Sequence, residues 1–235
     1  GTMNWILFAF LALSLTVLNA QSSSQEIRAV WIVRDQIKSK AGIRAVVAMM
    51  RDYGLTTAIV QVRGRGDAYY RSRLVIPARG LEADLDPLAE FIREARPHGI
   101  EVQAWVNVFL AADSSTEDYA HPDHISMTRP GWFLQDGEGR SMLRYSRSER
   151  QRAGVEGAFL DPAIPVVRQY TLEIIREILD HYPVQGIHLD YIRYPASRPG
   201  SRDFGVASAL RSAGVKEANR DRSAEIRSRF VTRMV

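Results

Sequence analysis

Four times along this chain of 235 residues, a short apolar run is followed by a helical pattern. The runs are Glu26–Val33, Thr57–Arg63, Glu101–Val108 and the stretch Gly186-Ile187-His188-Leu189-Asp190-Tyr191-Ile192-Arg193-Tyr194-Pro195. Ala41 to Tyr53 sets Ile43, Val46, Val47 and Met50 at helical spacing, with Gly54 as its stop. Asp86-Pro87 and Asp161-Pro162 each read as a cap followed by a proline in the first helical position. The second of these helices runs to about Tyr182, and Ser223 to Val235 carries a fourth pattern. Alternation without hairpin signals predicts parallel strands joined by crossovers. The connections after the second, third and fourth strands are long, about 20, 50 and 25 residues, and loops of that length are uncommon unless functional. All fall at the carboxyl ends of the strands, the face on which (β/α)8 enzymes build their sites. The expected fold is therefore α/β, a (β/α)8 TIM barrel of which this chain covers roughly the first four βα units. A full barrel takes about 250 residues, so the chain reads as C-terminally truncated.

Residues Ile6–Leu18 are apolar apart from Ser14 and Thr16, and Asn19-Ala20 leads into a polar run. This reads as a signal peptide over 1–20 cleaved near Ala20, a linker over 21–25, and the barrel portion over 26–235; no Lys or Arg precedes the run, and an uncleaved N-terminal anchor is the alternative. The run is short of the roughly 20 residues of a membrane span, so no stable span is expected after cleavage. The expected location is secreted or periplasmic. With no cysteine there is no disulfide framework, thiolate nucleophile or lipid-anchored cysteine. The net charge of +4 is carried mostly by dispersed arginines, which is compatible with an anionic glycan but makes no nucleic-acid motif.

Asp190 is the leading candidate for chemistry. A carboxylate at the end of a central strand can act as nucleophile or stabilise an oxocarbenium ion, and glycoside hydrolysis needs two such groups. Arg193 is placed to hold it ionised, and Tyr194 follows. The alternative is an Asp–Arg pair that ties a loop to the strand. In Gln61-Val62-Arg63-Gly64-Arg65-Gly66-Asp67, Arg63 is expected at a strand end beside a tight glycine turn. Asp67 serves there as a ligand contact or a turn residue. Trp105 and Asn107 share one face of the third strand, where Asn107 can bond a sugar hydroxyl and Trp105 lines the pocket or fills the core. His121-Pro122-Asp123-His124 resembles a metal-ligand group that could join His188 and Asp190, or is a set of local caps. Trp132-Phe133 is either a sugar-stacking platform or a satellite core. Arg140, Arg144, Arg147, Arg150 and Arg152 form a basic patch, read as a solvated loop or a contact for an anionic polymer. No Gly-x-Ser-x-Gly or His-Glu-x-x-His occurs.

Taken in order, Glu26–Trp31, Gln61–Ala68, Ala104–Asn107, His121-Pro122 and Gly186–Pro195 resemble the glycosyl-hydrolase-like family 10, secreted bacterial (β/α)8 proteins. The resemblance covers about residues 26 to 235. It implies a glycoside hydrolase of the cell envelope, with peptidoglycan glycan strands as one substrate class. Asp190, Arg193 and Tyr194 match the family's Asp-x-x-Arg-Tyr-Pro motif, and Arg63, Asp67 and Asn107 match its polar strand-end positions. Val108-Phe109 departs from the Pro-Tyr that many relatives carry there. The reading is an exported hydrolase with Asp190 as catalytic carboxylate. Arg63, Asp67, Trp105, Asn107, His188, Arg193 and Tyr194 would contact a polysaccharide. No metal or other cofactor is implied, and the partner carboxylate is expected beyond Val235. The alternatives are a glycan-binding envelope protein without catalysis, or a metal-dependent polysaccharide hydrolase or deacetylase.

Overall fold

The computed structural model describes residues 26–113, 121–195, 204–214 and 221–232. The apolar run 6–18, Ala20 and the 21–25 segment lie outside them. In chain order the elements are β1 (Ala29–Ile32), α1 (Lys40–Asp52), β2 (Thr57–Arg63), β3 (Asp67–Ala68), β4 (Ile76–Pro77), α2 (Pro87–Ala95), β5 (Glu101–Asn107) and β6 (Leu110–Ala112). They continue with α3 (Ile125–Thr128), α4 (Arg147–Ala153), β7 (Ala158–Phe159), α5 (Pro165–His181), β8 (Gly186–Asp190), α6 (Val206–Ser212) and α7 (Asp221–Thr232).

Strands β1, β2, β5 and β8 lie side by side in chain order, all parallel. This is the (β/α)8 arrangement expected from the alternation. Helices α1, α2 and α5 cover the convex face. Val46, Val47 and Met50 of α1, Leu88 and Phe91 of α2, and Ile174 and Ile178 of α5 pack on Val60, Val62, Val102, Ala104 and Val106. Each helix start has a local cause. The Ser39 hydroxyl accepts from Gly42 N–H at 3.1 Å, and the Asp86 carboxylate accepts from Ala89 N–H at 3.1 Å with Pro87 behind it.

The third expected helix start is corrected. The helix begins at Pro165, not at Pro162, because Pro165 disfavours the helical conformation in the residue before it, and Ile164 is extended (φ −82°, ψ 117°). Asp161 caps the preceding turn instead, accepting from Ala163 N–H at 2.9 Å.

The absence of hairpins is also corrected. Antiparallel pairs form within the long connections, β2 with β3 and β6 with β7. The connection after β5 packs a second core, in which Phe109, Leu110, Phe133, Leu134, Met142, Phe159 and Leu160 are buried together with Phe204 from beyond β8. Its polar surface hid these apolar residues because they are too scattered to show a period. Among the described residues no helix is long and apolar enough to cross a membrane.

Candidate active site

Register decides which side chains share the concave face. Gln61 lies opposite Trp105, Trp105 opposite His188, and Asn107 opposite Asp190. Residues in register on parallel strands point the same way. The intervening Val102, Ala104 and Val106 belong to the helix-side core, so Gln61, Trp105, Asn107, His188 and Asp190 face the other side.

Trp31 of β1 joins them. Its ring meets Trp105 edge-on at 4.8 Å and His188 at 4.2 Å between centroids. Strands β1 and β8 are separated by β2 and β5, a span of about 14 Å across a flat sheet at about 4.8 Å per strand. Only strong curvature lets a β1 side chain touch β8, so the concave face is the wall of a barrel. Trp31 is 48% exposed, and Trp105, His188 and Asp190 are half-buried.

Asp190 ends β8 and is held at both oxygens. Trp105 Nε1 donates to Oδ2 at 3.0 Å, and the Tyr191 N–H donates to Oδ1 at 2.7 Å. Tyr191 has φ +51°, a left-handed conformation rare for an aromatic residue. Such strain persists where surrounding structure enforces it, commonly at functional sites. Here the Val108 N–H donates to the Asp190 carbonyl at 2.7 Å, fixing the strand end from which the chain turns.

Asn107 is buried in the same row. Its Nδ2 donates to the Gly64 carbonyl at 2.9 Å, and its Oδ1 accepts from Gln61 Nε2 at 3.4 Å. Arg63 takes a different direction. A β-bulge between Gln61 and Arg63 sets Arg63 opposite Val106, on the helix side. Its guanidinium is fully buried and donates from Nη1 to the carbonyls of Asn107 and Val108. Nε and Nη2 have no hydrogen-bond partner among the described residues. Arg63 therefore grips the end of β5 from behind and does not reach the face that carries Asp190.

The turn after β2 is tied to the β5 connection. Asp67 Oδ1 accepts from Arg65 N–H at 2.7 Å, a turn contact. Gly66 has φ +79°, and a Cβ there would fall 2.6 Å from His124 Nε2 and 2.7 Å from the Ala111 carbonyl, so the motif requires glycine. His124 caps α3: its Nδ1 accepts from Ser126 N–H at 3.1 Å, and its Nε2 meets the Arg65 carbonyl at 2.8 Å. With Nδ1 an acceptor, Nε2 carries the proton. Burial pushes the His124 pKa down. Both ring nitrogens are thus engaged locally, and among the described residues no group of three or more acidic or histidine side chains is placed to hold a metal ion.

Arg193 is not the partner of Asp190. The turn at Tyr191 carries it outward, where Nη2 bonds Glu156 at 2.9 Å and the guanidinium lies 5.2 Å from the Tyr191 ring centroid. Arg65 lies 5.8 Å from the same centroid and pairs with Asp113 at 2.6 Å. Tyr191 is thus flanked by two arginines, each bound to its own carboxylate. Tyr194 turns into the core of the β5 connection. Its hydroxyl is buried without a partner among the described residues, and burial raises its pKa.

The family model described as Glycosyl hydrolase-like 10 matches residues 26–235, across all four βα units. The chain belongs to this family. It is 27% identical to glycosyl hydrolase YngK of Bacillus subtilis over 75% of this chain and 35% of that protein. It is 26% identical to glycosyl hydrolase DigH of Escherichia coli K12, over 77% of this chain and 45% of that one. The chain therefore spans less than half the length of these curated relatives. Among solved structures, α-L-fucosidase isoenzyme 2 of Paenibacillus thiaminolyticus superposes with a TM-score of 0.60 at 16% identity, over 89% of this chain and 30% of that one. That likeness is one of fold.

Within this glycosyl hydrolase-like 10 chain, the structure brings Trp105, Asn107, His188 and Asp190 to one face. It sets Asp67 in the β2 turn and Arg193 at the rim, and places Arg63 and Tyr194 behind the face. Sequence reasoning missed Trp31, Arg65, Asp113 and Glu156. Period two on the first strand signals Trp31, but the arginine–carboxylate pairs join residues 48 and 37 positions apart and leave no local mark.

Proposed function

We propose that this chain carries the Asp190 half of an exported glycoside hydrolase that cleaves O-glycosidic bonds of a cell-envelope polysaccharide, with peptidoglycan glycan strands as the substrate class. One observation carries the reading: Asp190 ends β8 on an aromatic concave wall, with both oxygens oriented. Each carboxylate oxygen has two lone pairs, so one on each remains for a sugar. Asp190 acts as nucleophile or charge stabiliser at the anomeric carbon. A second carboxyl group protonates the departing glycosidic oxygen, and water supplies the new hydroxyl. Trp105 and His188 line the sugar, Asn107 and Arg63 hold the wall from within it and behind it, Tyr194 anchors the chain after β8 in the neighbouring core, and Asp67 and Arg193 shape the rim. Membership in the glycosyl hydrolase-like 10 family supports the reaction class. The apolar run 6–18 ahead of Ala20 supports export.

The test is to incubate the full-length chain with purified peptidoglycan glycan strands and measure new reducing ends. Shortened strands with new reducing ends are expected. Strands left intact while the protein is folded would contradict the proposal.

A further inference from the structure

A second site lies on the other side of the β2 turn. A cleft of about 190 Å³ opens between the connection after β2, the segment around α3 and the first turns of α5. Leu74, Asp123, Arg129, Trp132 and Tyr170 line it, with Gly66 at its edge. We propose that this cleft binds a single pyranose unit of a glycan chain, stacked on Trp132 and Tyr170.

The two rings form an angled wall, their centroids 5.5 Å apart and their planes at 59°. Both are half-buried, whereas the neighbouring Phe133 is 2% exposed and fills the core beneath. Trp132 thus presents a ring to solvent that a core role does not need. Among the described residues, the polar groups around it keep hydrogen-bonding capacity to spare. The Asp123 carboxylate is exposed and has no partner among the described residues, since its only bond is from its own N–H to His121 Nδ1. The Tyr170 hydroxyl has none either. Arg129 lies 5.8 Å from the Trp132 ring centroid and spends one nitrogen on the Thr128 carbonyl, with no carboxylate against it among the described residues. An angled apolar wall edged by an acceptor, a cation and a phenol matches a sugar ring, whose C–H face lies on one ring and whose edge meets the other, and whose rim is hydroxylated. The volume is below the range of about 300–1,000 Å³ for drug-sized ligands, so one ring fits.

The cleft is joined to Asp190 through the turn. Gly66 borders it, and the adjacent Arg65 lies over Tyr191, next to Asp190. A polymer that meets Asp190 has an anchoring point across that turn. This inference rests on the glycan reading of the Asp190 site.

The test uses the full-length chain, with peptidoglycan glycan strands and a hexasaccharide of N-acetylglucosamine as probes, in titration calorimetry and initial-rate kinetics. Trp132→Ala should weaken binding of the better probe about tenfold or more and raise KM on polymer, with kcat retained. Trp132→Phe should recover most of the affinity. Asp123→Asn changes an exposed, unbonded group, cannot unfold the chain, and should weaken binding as well. Wild-type affinity and KM in both Trp132→Ala and Asp123→Asn would overturn this site while the Asp190 reading stands. A wild-type chain that neither binds nor cleaves either probe would overturn both.

Discussion

The indole N–H of Trp105 donates to Oδ2 of Asp190 at 3.0 Å, from one strand of the barrel wall to the next. The two residues are not register partners, because Trp105 faces His188 and Asn107 faces Asp190. The indole reaches one step forward along the wall and meets the carboxylate from the side, while the Tyr191 amide holds the other oxygen. Asp190 is therefore fixed in direction before any substrate arrives, which is the condition for orientation to lower a barrier.

Trp105→Phe keeps a ring in the wall and removes the donor. In the full-length enzyme, kcat should fall about 10- to 100-fold with KM nearly unchanged, the range for losing one hydrogen bond to a charged group. Thermal unfolding should move little. An equal change in KM and none in kcat would show that Trp105 acts on the sugar alone and does not position Asp190.

Asn107→Ala removes a buried amide that joins two strands. It leaves the Gly64 carbonyl and the Gln61 amide without their partner. Urea unfolding should show a loss of about 1–3 kcal/mol.

Gly66→Ala and Gly80→Ala separate backbone strain from crowding. Both glycines have left-handed φ, +79° and +76°. A Cβ at Gly80 meets nothing within 4 Å, so Gly80→Ala should cost about 1–2 kcal/mol for the conformation alone. At Gly66 the new atom also strikes His124 and the Ala111 carbonyl, so the loss should be clearly larger, with the β2 turn displaced.

His124 makes stability depend on pH. Burial favours its neutral form, and Nδ1 as an acceptor needs that form. The contribution is complete above the ordinary histidine value of 6.5 and is lost as pH falls through the lowered folded value. Arg63 and His121 oppose the charged form, and Asp67 favours it. Urea midpoints measured between pH 7.5 and 5 should fall for the wild type, and fall less steeply in His124→Gln.

The four wall strands were legible because their composition and period agree with their burial. Thr57–Arg63 is β-branched on both sides and is observed with those bounds, and period two set Trp105 and Asn107 on a common face. The direction of Arg63 was not legible. A bulge adds one residue without changing the apolar pattern, since Val62 suits either side, and it swings Arg63 behind the wall. Nor was the left-handed turn at Tyr191, which separates Arg193 from Asp190 and sends it to Glu156. Its cause is a tertiary lock, and a tyrosine carries no glycine-like signal. The core under the β5 connection escaped for a related reason, because Phe109, Phe133, Phe159 and Phe204 converge from distant positions.

The most direct test of the central claim is the turnover of Asp190→Asn in the full-length chain on peptidoglycan glycan strands. The substitution keeps shape, but the amide has one acceptor oxygen, so it loses one of the two bonds from Trp105 and the Tyr191 N–H; stability should fall by about 1–3 kcal/mol while the chain stays folded. If Asp190 meets the anomeric carbon, kcat should fall by about three orders of magnitude or more. Wild-type turnover in the folded variant would remove Asp190 from the reaction and contradict the account.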